Sequence, residues 1–187
     1  MEIPSGKRAC LYQSEELNAV LDVMAWQAAG FLRGKENILV VGIIRRGAPL
    51  AKMLQQRLAN DFKFTNIALL NLQIKRYSDD LTLLHTETKL TENPKHEKLD
   101  LTGTTILVVD DVMYRGHSML CAVEYLAKKQ AAEIRTAVLV DRGANKLPVQ
   151  TDVTGVRLDV APSNIIECCV PPYESEFKID LFQPIIN

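Results

Sequence analysis

The stretch Ile106 to Ser118, I-L-V-V-D-D-V-M-Y-R-G-H-S, constrains this chain more than any other. A short apolar run of β-branched residues is the pattern of a strand buried on both faces, and here it leads into two adjacent carboxylates. A polar loop with one glycine follows, and then an amphipathic stretch, Ser118 to Lys129, expected to be helical. Strand, acidic loop and helix in that order suit a grip on a sugar phosphate. Carboxylates accept hydrogen bonds from ribose hydroxyls. Loop amides and the positive end of a helix dipole favour an anion.

The rest of the chain repeats the alternation. Ser14, Glu15 and Glu16 mark a helix start, after which Leu17, Val20, Leu21, Met24, Ala28 and Phe31 recur at helical spacing. Ile38 to Ile44 predicts an interior parallel strand, closed by Arg45-Arg46-Gly47. Pro49 to Leu58 predicts a helix and Asn66 to Leu72 a strand, so a right-handed β-α-β crossover is the natural connection. Ala137 to Val140 predicts a further strand, ended by Asp141-Arg142-Gly143. Leu147-Pro148-Val149 and Asn164 to Val170 suggest turn and strand elements of a smaller appended region. The segment 75–101 is polar and loses periodicity, and irregular connections longer than about 12–15 residues inside a compact domain are usually functional elements or disordered insertions. A closing arm is expected in preference to a passive insertion.

Composition narrows the classes. A length of 187 residues with 47% hydrophobic content predicts one domain with a substantial core. The formal charge of -1 argues against a broad, nonspecific grip on nucleic acid. No run approaches the roughly 20 apolar residues of a membrane span, and the first thirty residues lack an apolar signal core, so a cytoplasmic protein with no membrane partner is expected. Cys10, Cys121, Cys168 and Cys169 lack paired C-x-x-C spacing and read as free thiols. His85, His96 and His117 are too scattered for a zinc site. No G-x-x-x-x-G-K-[ST] loop is present, which disfavours an ATPase. A phospho-acceptor domain carries its acid pair near the N-terminus, whereas Asp110-Asp111 lies mid-chain.

In open α/β sheets, ligands collect beyond the carboxyl ends of strands. Three strands here end in polar loops: Arg45-Arg46-Gly47, Asp110 to Ser118, and Asp141-Arg142-Gly143. If those strands are neighbours, guanidinium groups and carboxylates share one crevice, suited to a ligand with an anionic end and a polyhydroxy middle. The competing readings are a helix-capping acid for Asp110-Asp111 and a solvated charge pair for Arg45-Arg46.

The run D-D-V-M-Y-R-G-H-S at 110–118 resembles the phosphoribosyl-diphosphate signature of type I phosphoribosyltransferases, and the wider frame resembles their PyrR branch. Members of that branch combine uracil phosphoribosyltransferase activity with, in many bacteria, RNA-binding control of pyrimidine operons. The matching segments are V-V-G-I-I-R-R-G-A-P-L-A-K at 40–52, Y-S-D-D-L at 77–81, A-V-L-V-D-R-G at 137–143 and L-P-V-Q-T-D at 147–152. The resemblance implies the type I fold: an α/β, mostly parallel twisted sheet flanked by helices, with a small base-covering hood (144–187, with the terminal strands) and a flexible catalytic arm (75–101).

Carried over residue by residue, the resemblance implies that Asp110 and Asp111 hold the ribose hydroxyls. Val112, Met113, Tyr114, Arg115, Gly116, His117 and Ser118 line the phosphoribosyl diphosphate (PRPP) site, with 113–118 around the 5-phosphate. Arg45, Arg46 and Gly47 form the diphosphate loop, with a strained peptide between the two arginines. Tyr114, Arg142 and the main chain near Ile166 frame the base. Arg46, Arg76, Asp110 and Asp111 are the implied catalytic set. The reaction implied is attack of a uracil ring nitrogen on PRPP, giving UMP and diphosphate, with Mg2+ held mainly by substrate and a homo-oligomer expected. Tyr114 stands where purine-salvage relatives carry an aspartate, which favours a pyrimidine.

Several residues depart from the family pattern. Arg115 and Ser118 replace threonines, Ser78 replaces an arm arginine that Arg76 could stand in for, and His117 replaces an arginine. The basic positions that contact RNA in the family fall on A-V-L-D-V-M-A-W-Q at 19–27 and G-A-N-K at 143–146, so RNA control is expected to be lost or weakened. A sensor that binds UMP or PRPP with little turnover is the alternative to an efficient enzyme.

Overall fold

A computed structural model describes residues 5–75, 89–91 and 99–185. The first strand, β1 (Gly6–Tyr12), leads into helix α1 (Ser14–Leu32). A capping box starts that helix: the Glu16 carboxylate accepts a 2.8 Å hydrogen bond from the amide of Gln13, the N-cap residue. There follow β2 (Asn37–Ile44), α2 (Gly47–Asp61), β3 (Ile67–Lys75), β4 (Lys89–Thr91), β5 (Thr104–Met113), α3 (His117–Lys128), β6 (Glu133–Asp141), β7 (Val153–Arg157), β8 (Ile165–Cys169) and β9 (Lys178–Pro184).

Among the described residues, nine strands make two sheets. The main sheet has the order β4-β3-β2-β5-β6-β7, parallel except for the antiparallel edge strand β4. The expected β2-α2-β3 crossover is present, with Val40 beside Leu69. Side chains alternate across the sheet. Val40, Leu107, Val109 and Leu139 pack with α1 and α2 on one face, and Val41, Ile106, Val108 and Val138 pack with α3 on the other. Burial on both faces is why these strands read as continuous apolar runs.

The second sheet, β1-β9-β8, is antiparallel and forms the hood. Ile166, Cys168, Val170, Phe177 and Ile179 from this part join the same apolar cluster as α1 and α2, so the two sheets share one core.

Three differences from the sequence expectation have physical causes. Strand β5 continues through both acids to Met113, because parallel pairing with β6 persists as far as Met113 beside Asp141. The acids therefore stand on the end of a strand rather than in a loop. Strand β7, from the region expected to belong to the hood, adds to the main sheet beside β6, while β1 from the opposite end of the chain completes the hood. The polar segment contributes a three-residue edge strand, β4, too short to carry a period-two signal. The part of the expected arm at 76–88, with Arg76, Tyr77 and Ser78, lies outside the described residues, as does 92–98.

Candidate active site

Strand β2 has β3 on one side and β5 on the other, and β5 continues the order outward through β6. The topological switch therefore falls between β2 and β5, where α/β sheets open a ligand crevice. The loops after β2, β5 and β6 all project from this end.

The loop after β2 is pressed against the acidic end of β5. A Cβ on Gly47 would lie 2.5 Å from the Val109 carbonyl oxygen and 3.0 Å from the Asp110 Cα. Only glycine permits that approach. Gly42 is equally confined, since a Cβ there would lie 2.5 Å from the Ala48 Cα at the start of α2. A non-proline cis peptide joins Ile44 to Arg45, one bond earlier than the strained peptide suggested by the family resemblance.

At the tip of β5, the Asp110 carboxylate accepts a 2.9 Å bond from the Asp111 amide through Oδ1. The Asp111 Oδ1 likewise accepts from the Val112 amide at 2.9 Å. One oxygen of each acid thus fixes the local backbone. Burial pushes Asp110 well above the ordinary carboxylate range, and the neighbouring Asp111 charge pushes it further. Burial also raises Asp111, but the Arg46 guanidinium opposes the rise. The environments of the two acids therefore differ.

Beyond Met113 the chain turns through Tyr114 and Arg115 to Gly116, the N-cap of α3, whose φ of 86° is left-handed. The Leu120 amide donates to the Gly116 carbonyl at 2.9 Å, starting the helix one residue earlier than expected, at His117. Ser118 lies in its first turn. Leu147 and Val149 flank the glycine, so the segment 147–149 backs the loop.

The end of β6 enters from the other side. The Arg142 guanidinium lies 4.4 Å from the Tyr114 ring centroid and Arg115 lies 5.2 Å from it, so the tyrosine is flanked by two cations. Arg142 is buried, and its Nη2 donates to the carbonyl oxygen of Asn164 at 3.0 Å, just before β8. Ile166 on β8 is buried in the common core, and what it can offer the crevice is main chain. Arg115 and Arg142 each carry a buried Nε with no partner among the described residues.

Sequence reasoning missed Tyr173 and Glu174, the hood residues that meet the Arg45-Arg46 loop. Arg46 donates to Glu174 Oε1 through Nη2 at 2.6 Å and Nε at 3.1 Å, while the Arg45 guanidinium lies 5.2 Å from the Tyr173 ring. Buried Cys168 is close enough to feel the charges of Asp111 and Arg46, and burial pushes its thiol well up. The only local signal was Pro171-Pro172, now a cis pair, which marks a turn without saying what the turn faces.

Comparison with known proteins shows the family and the fold. Residues 11–176 match the family described as phosphoribosyl transferase domain. The protein named Bifunctional protein PyrR from Nostoc punctiforme is 32% identical over 180 residues, covering 95% of this chain and 98% of that one. Its namesake from Actinobacillus pleuropneumoniae serotype 5b is 32% identical over 149 residues, covering 79% and 82%. The chain belongs to the PyrR family of type I phosphoribosyltransferases.

Solved structures share the fold at low identity. A hypoxanthine phosphoribosyltransferase from Trypanosoma cruzi, in complex with IMP, superposes with a TM-score of 0.69 at 17% identity, covering 88% of this chain and 87% of that one. A hypoxanthine-guanine phosphoribosyltransferase from Bacillus anthracis gives 0.69 at 15%, covering 98% and 100%. PyrR membership places the chain among transferases of phosphoribosyl groups. No described helix is long and apolar enough to cross a membrane.

Proposed function

We propose that this PyrR-family chain transfers the phosphoribosyl group of PRPP to uracil, giving UMP and diphosphate in the cytoplasm. The observation that carries the reading is the convergence, at one switch-point crevice, of Arg45-Arg46-Gly47, Asp110-Asp111 and the Gly116-capped start of α3. That set matches the three parts of PRPP in order. Arg45 and Arg46 take the diphosphate, Asp110 and Asp111 take the ribose hydroxyls, and the 113–118 turn takes the 5-phosphate.

In the reaction, the bond from the anomeric carbon to the diphosphate oxygen breaks and a bond to uracil N1 forms, with loss of the N1 proton. The transition state resembles an oxocarbenium ion. Arg46 and Arg76 neutralise charge building on the leaving group, while the half-buried acids Asp110 and Asp111 face the cationic ribose. Mg2+ prefers oxygen ligands and takes most of them from phosphate and water. No group of three metal-binding side chains occurs among the described residues, but Asp110 and Asp111 offer hard oxygens that fit one or two positions. Bound there, the ion would supply charge neutralisation at the diphosphate.

For the base, Tyr114 between Arg115 and Arg142 provides a flat, cation-flanked wall, and the main chain near Ile166 provides an edge. Tyr114 offers no carboxylate to a purine ring nitrogen, which favours uracil. RNA control is reduced in this reading. The outer face of α1 shows Val23 and Trp26, 54% and 67% exposed, where an RNA-binding face needs cations. A gel-shift titration with pyrimidine leader RNA should show no UMP-dependent binding at moderate salt, and tight binding would refute the loss. A homo-oligomer is proposed from the family resemblance.

A spectrophotometric assay with uracil, PRPP and Mg2+ tests the activity. Stoichiometric UMP supports the enzyme. Thermal stabilisation by PRPP or UMP without product would overturn it in favour of a sensor with little turnover.

A further inference from the structure

Arg46 projects from the loop that should receive the diphosphate, and a carboxylate from the hood already holds it. Glu174 takes both Nη2 and Nε of Arg46 on one oxygen, at 2.6 and 3.1 Å. Its other oxygen accepts the Val170 amide at 2.8 Å. The turn that carries it is tied back on itself, with the Tyr173 amide donating to the Val170 carbonyl at 3.1 Å. The neighbouring Arg45 lies over Tyr173. Consecutive hood residues therefore contact consecutive arginines of the diphosphate loop.

Burial disfavours the charged form of Glu174, yet hydrogen bonds from Arg46 and the Val170 amide hold its carboxyl below the usual range. The pair is only partly exposed, with 36% of the Arg46 side chain and 21% of the Glu174 side chain open to solvent. A guanidinium fork donates to carboxylate and to phosphate oxygens in the same way. An anion arriving at Arg46 thus meets an anion already there.

We propose that Glu174 is a built-in competitor for the diphosphate end of PRPP, released from Arg46 when the diphosphate takes its place. The inference rests on the phosphoribosyl-transfer reading of the crevice and adds to it the residue that sets affinity for the leaving-group end. Glu174 acts through Arg46 and is a positioning residue. Its effect falls on PRPP and diphosphate, not on uracil.

Glu174→Gln tests this, because an amide oxygen can still accept from Val170 while the charge is gone. Calorimetric titration with magnesium diphosphate and with PRPP should show binding tightened about tenfold, the exchange of a charge-assisted contact for a neutral one. The KM for PRPP should fall and that for uracil should stay. Glu174→Ala must move affinity in the same direction. Glu176→Gln, whose carboxylate pairs with Lys178, should change neither constant. Unchanged or weaker diphosphate binding in both Glu174 variants would overturn the proposal. If the wild-type protein makes UMP while the variants bind no tighter, only this inference fails. If the wild type binds no PRPP, the parent reading fails as well.

Discussion

The two sheets are built on different plans. In the main sheet, β2 is buried over six consecutive residues and β5 over five, and each is followed directly by a helix that packs on the sheet, α2 and α3. In the hood, β8 and β9 mix buried with partly buried positions, and β1 pairs with β9 from the far end of the chain, Gly6 opposite Pro184. The main sheet carries the proposed binding groups: Arg45 and Arg46 for the diphosphate, Asp110 and Asp111 for the ribose hydroxyls, and the start of α3 for the 5-phosphate. The hood supplies what those arginines touch now, Glu174 and Tyr173. In the proposed reading, the more local of the two sheets makes the binding groups of one crevice and the less local one modulates them.

That contrast depends on the hood being fixed to the main sheet through their shared core. Ile179 in β9 and Leu107 in β5 belong to one apolar cluster and are 0% and 1% exposed. Leu107→Ala and Ile179→Ala should each cost about 2–5 kcal/mol, the usual range for such truncations. Urea unfolding should remain a single transition in both variants. An early separate transition for Ile179→Ala, with the main sheet still folded, would show that the hood is an independent unit and break the comparison.

Within the main sheet, the charge on Asp111 should matter more to activity than to folding. Asp111→Asn keeps an oxygen for the Val112 amide but removes the charge-assisted grip on ribose. The expected loss is about 1.5–3 kcal/mol of transition-state stabilisation, roughly tenfold to 150-fold in kcat/KM. Circular dichroism should be unchanged. Turnover near wild type would remove Asp111 from the proposed ribose site.

Sequence alone showed the main sheet well and the hood poorly, for a physical reason. A strand such as Ile38–Ile44, covered on both faces, announces itself by composition, and the acid pair at its neighbour's tip marks the end proposed to bind ligand. Strand β1, G-K-R-A-C-L-Y, carries mixed residues because its first five positions are exposed, and only pairing with residues some 170 positions away makes it a strand. Glu174 was hidden for the same reason. Nothing near P-P-Y-E-S-E in sequence says that its carboxylate meets Arg46, 128 positions earlier. The end of β5 was misjudged because composition turns polar at Asp110, whereas backbone pairing with β6 runs on to Met113.

The smallest effect expected concerns Asp110, and its sign separates a site built for ligand from one built for stability. Burial and the adjacent Asp111 charge raise Asp110 well above its ordinary value near 3.8. As pH climbs from that value toward the raised one, the unfolded chain gives up this proton first, so the folded state holds more protons and stability falls. Above the raised value the penalty is constant. Asp110→Asn abolishes it while leaving an oxygen for the Asp111 amide. The variant should therefore gain stability relative to the wild type as pH rises from about 4, most once the pH exceeds the raised value, and the two should converge in acid. Urea midpoints measured across that range decide the matter. Carboxylates lowered in the native state, such as Glu133 beside Lys35 and Arg135, contribute equally to both proteins and cancel in the difference. Parallel curves would mean that Asp110 carries no such penalty. A difference that widens with pH, together with lost activity, would mean that the main sheet sacrifices stability to keep a second negative charge where a ribose and a metal ion can use it.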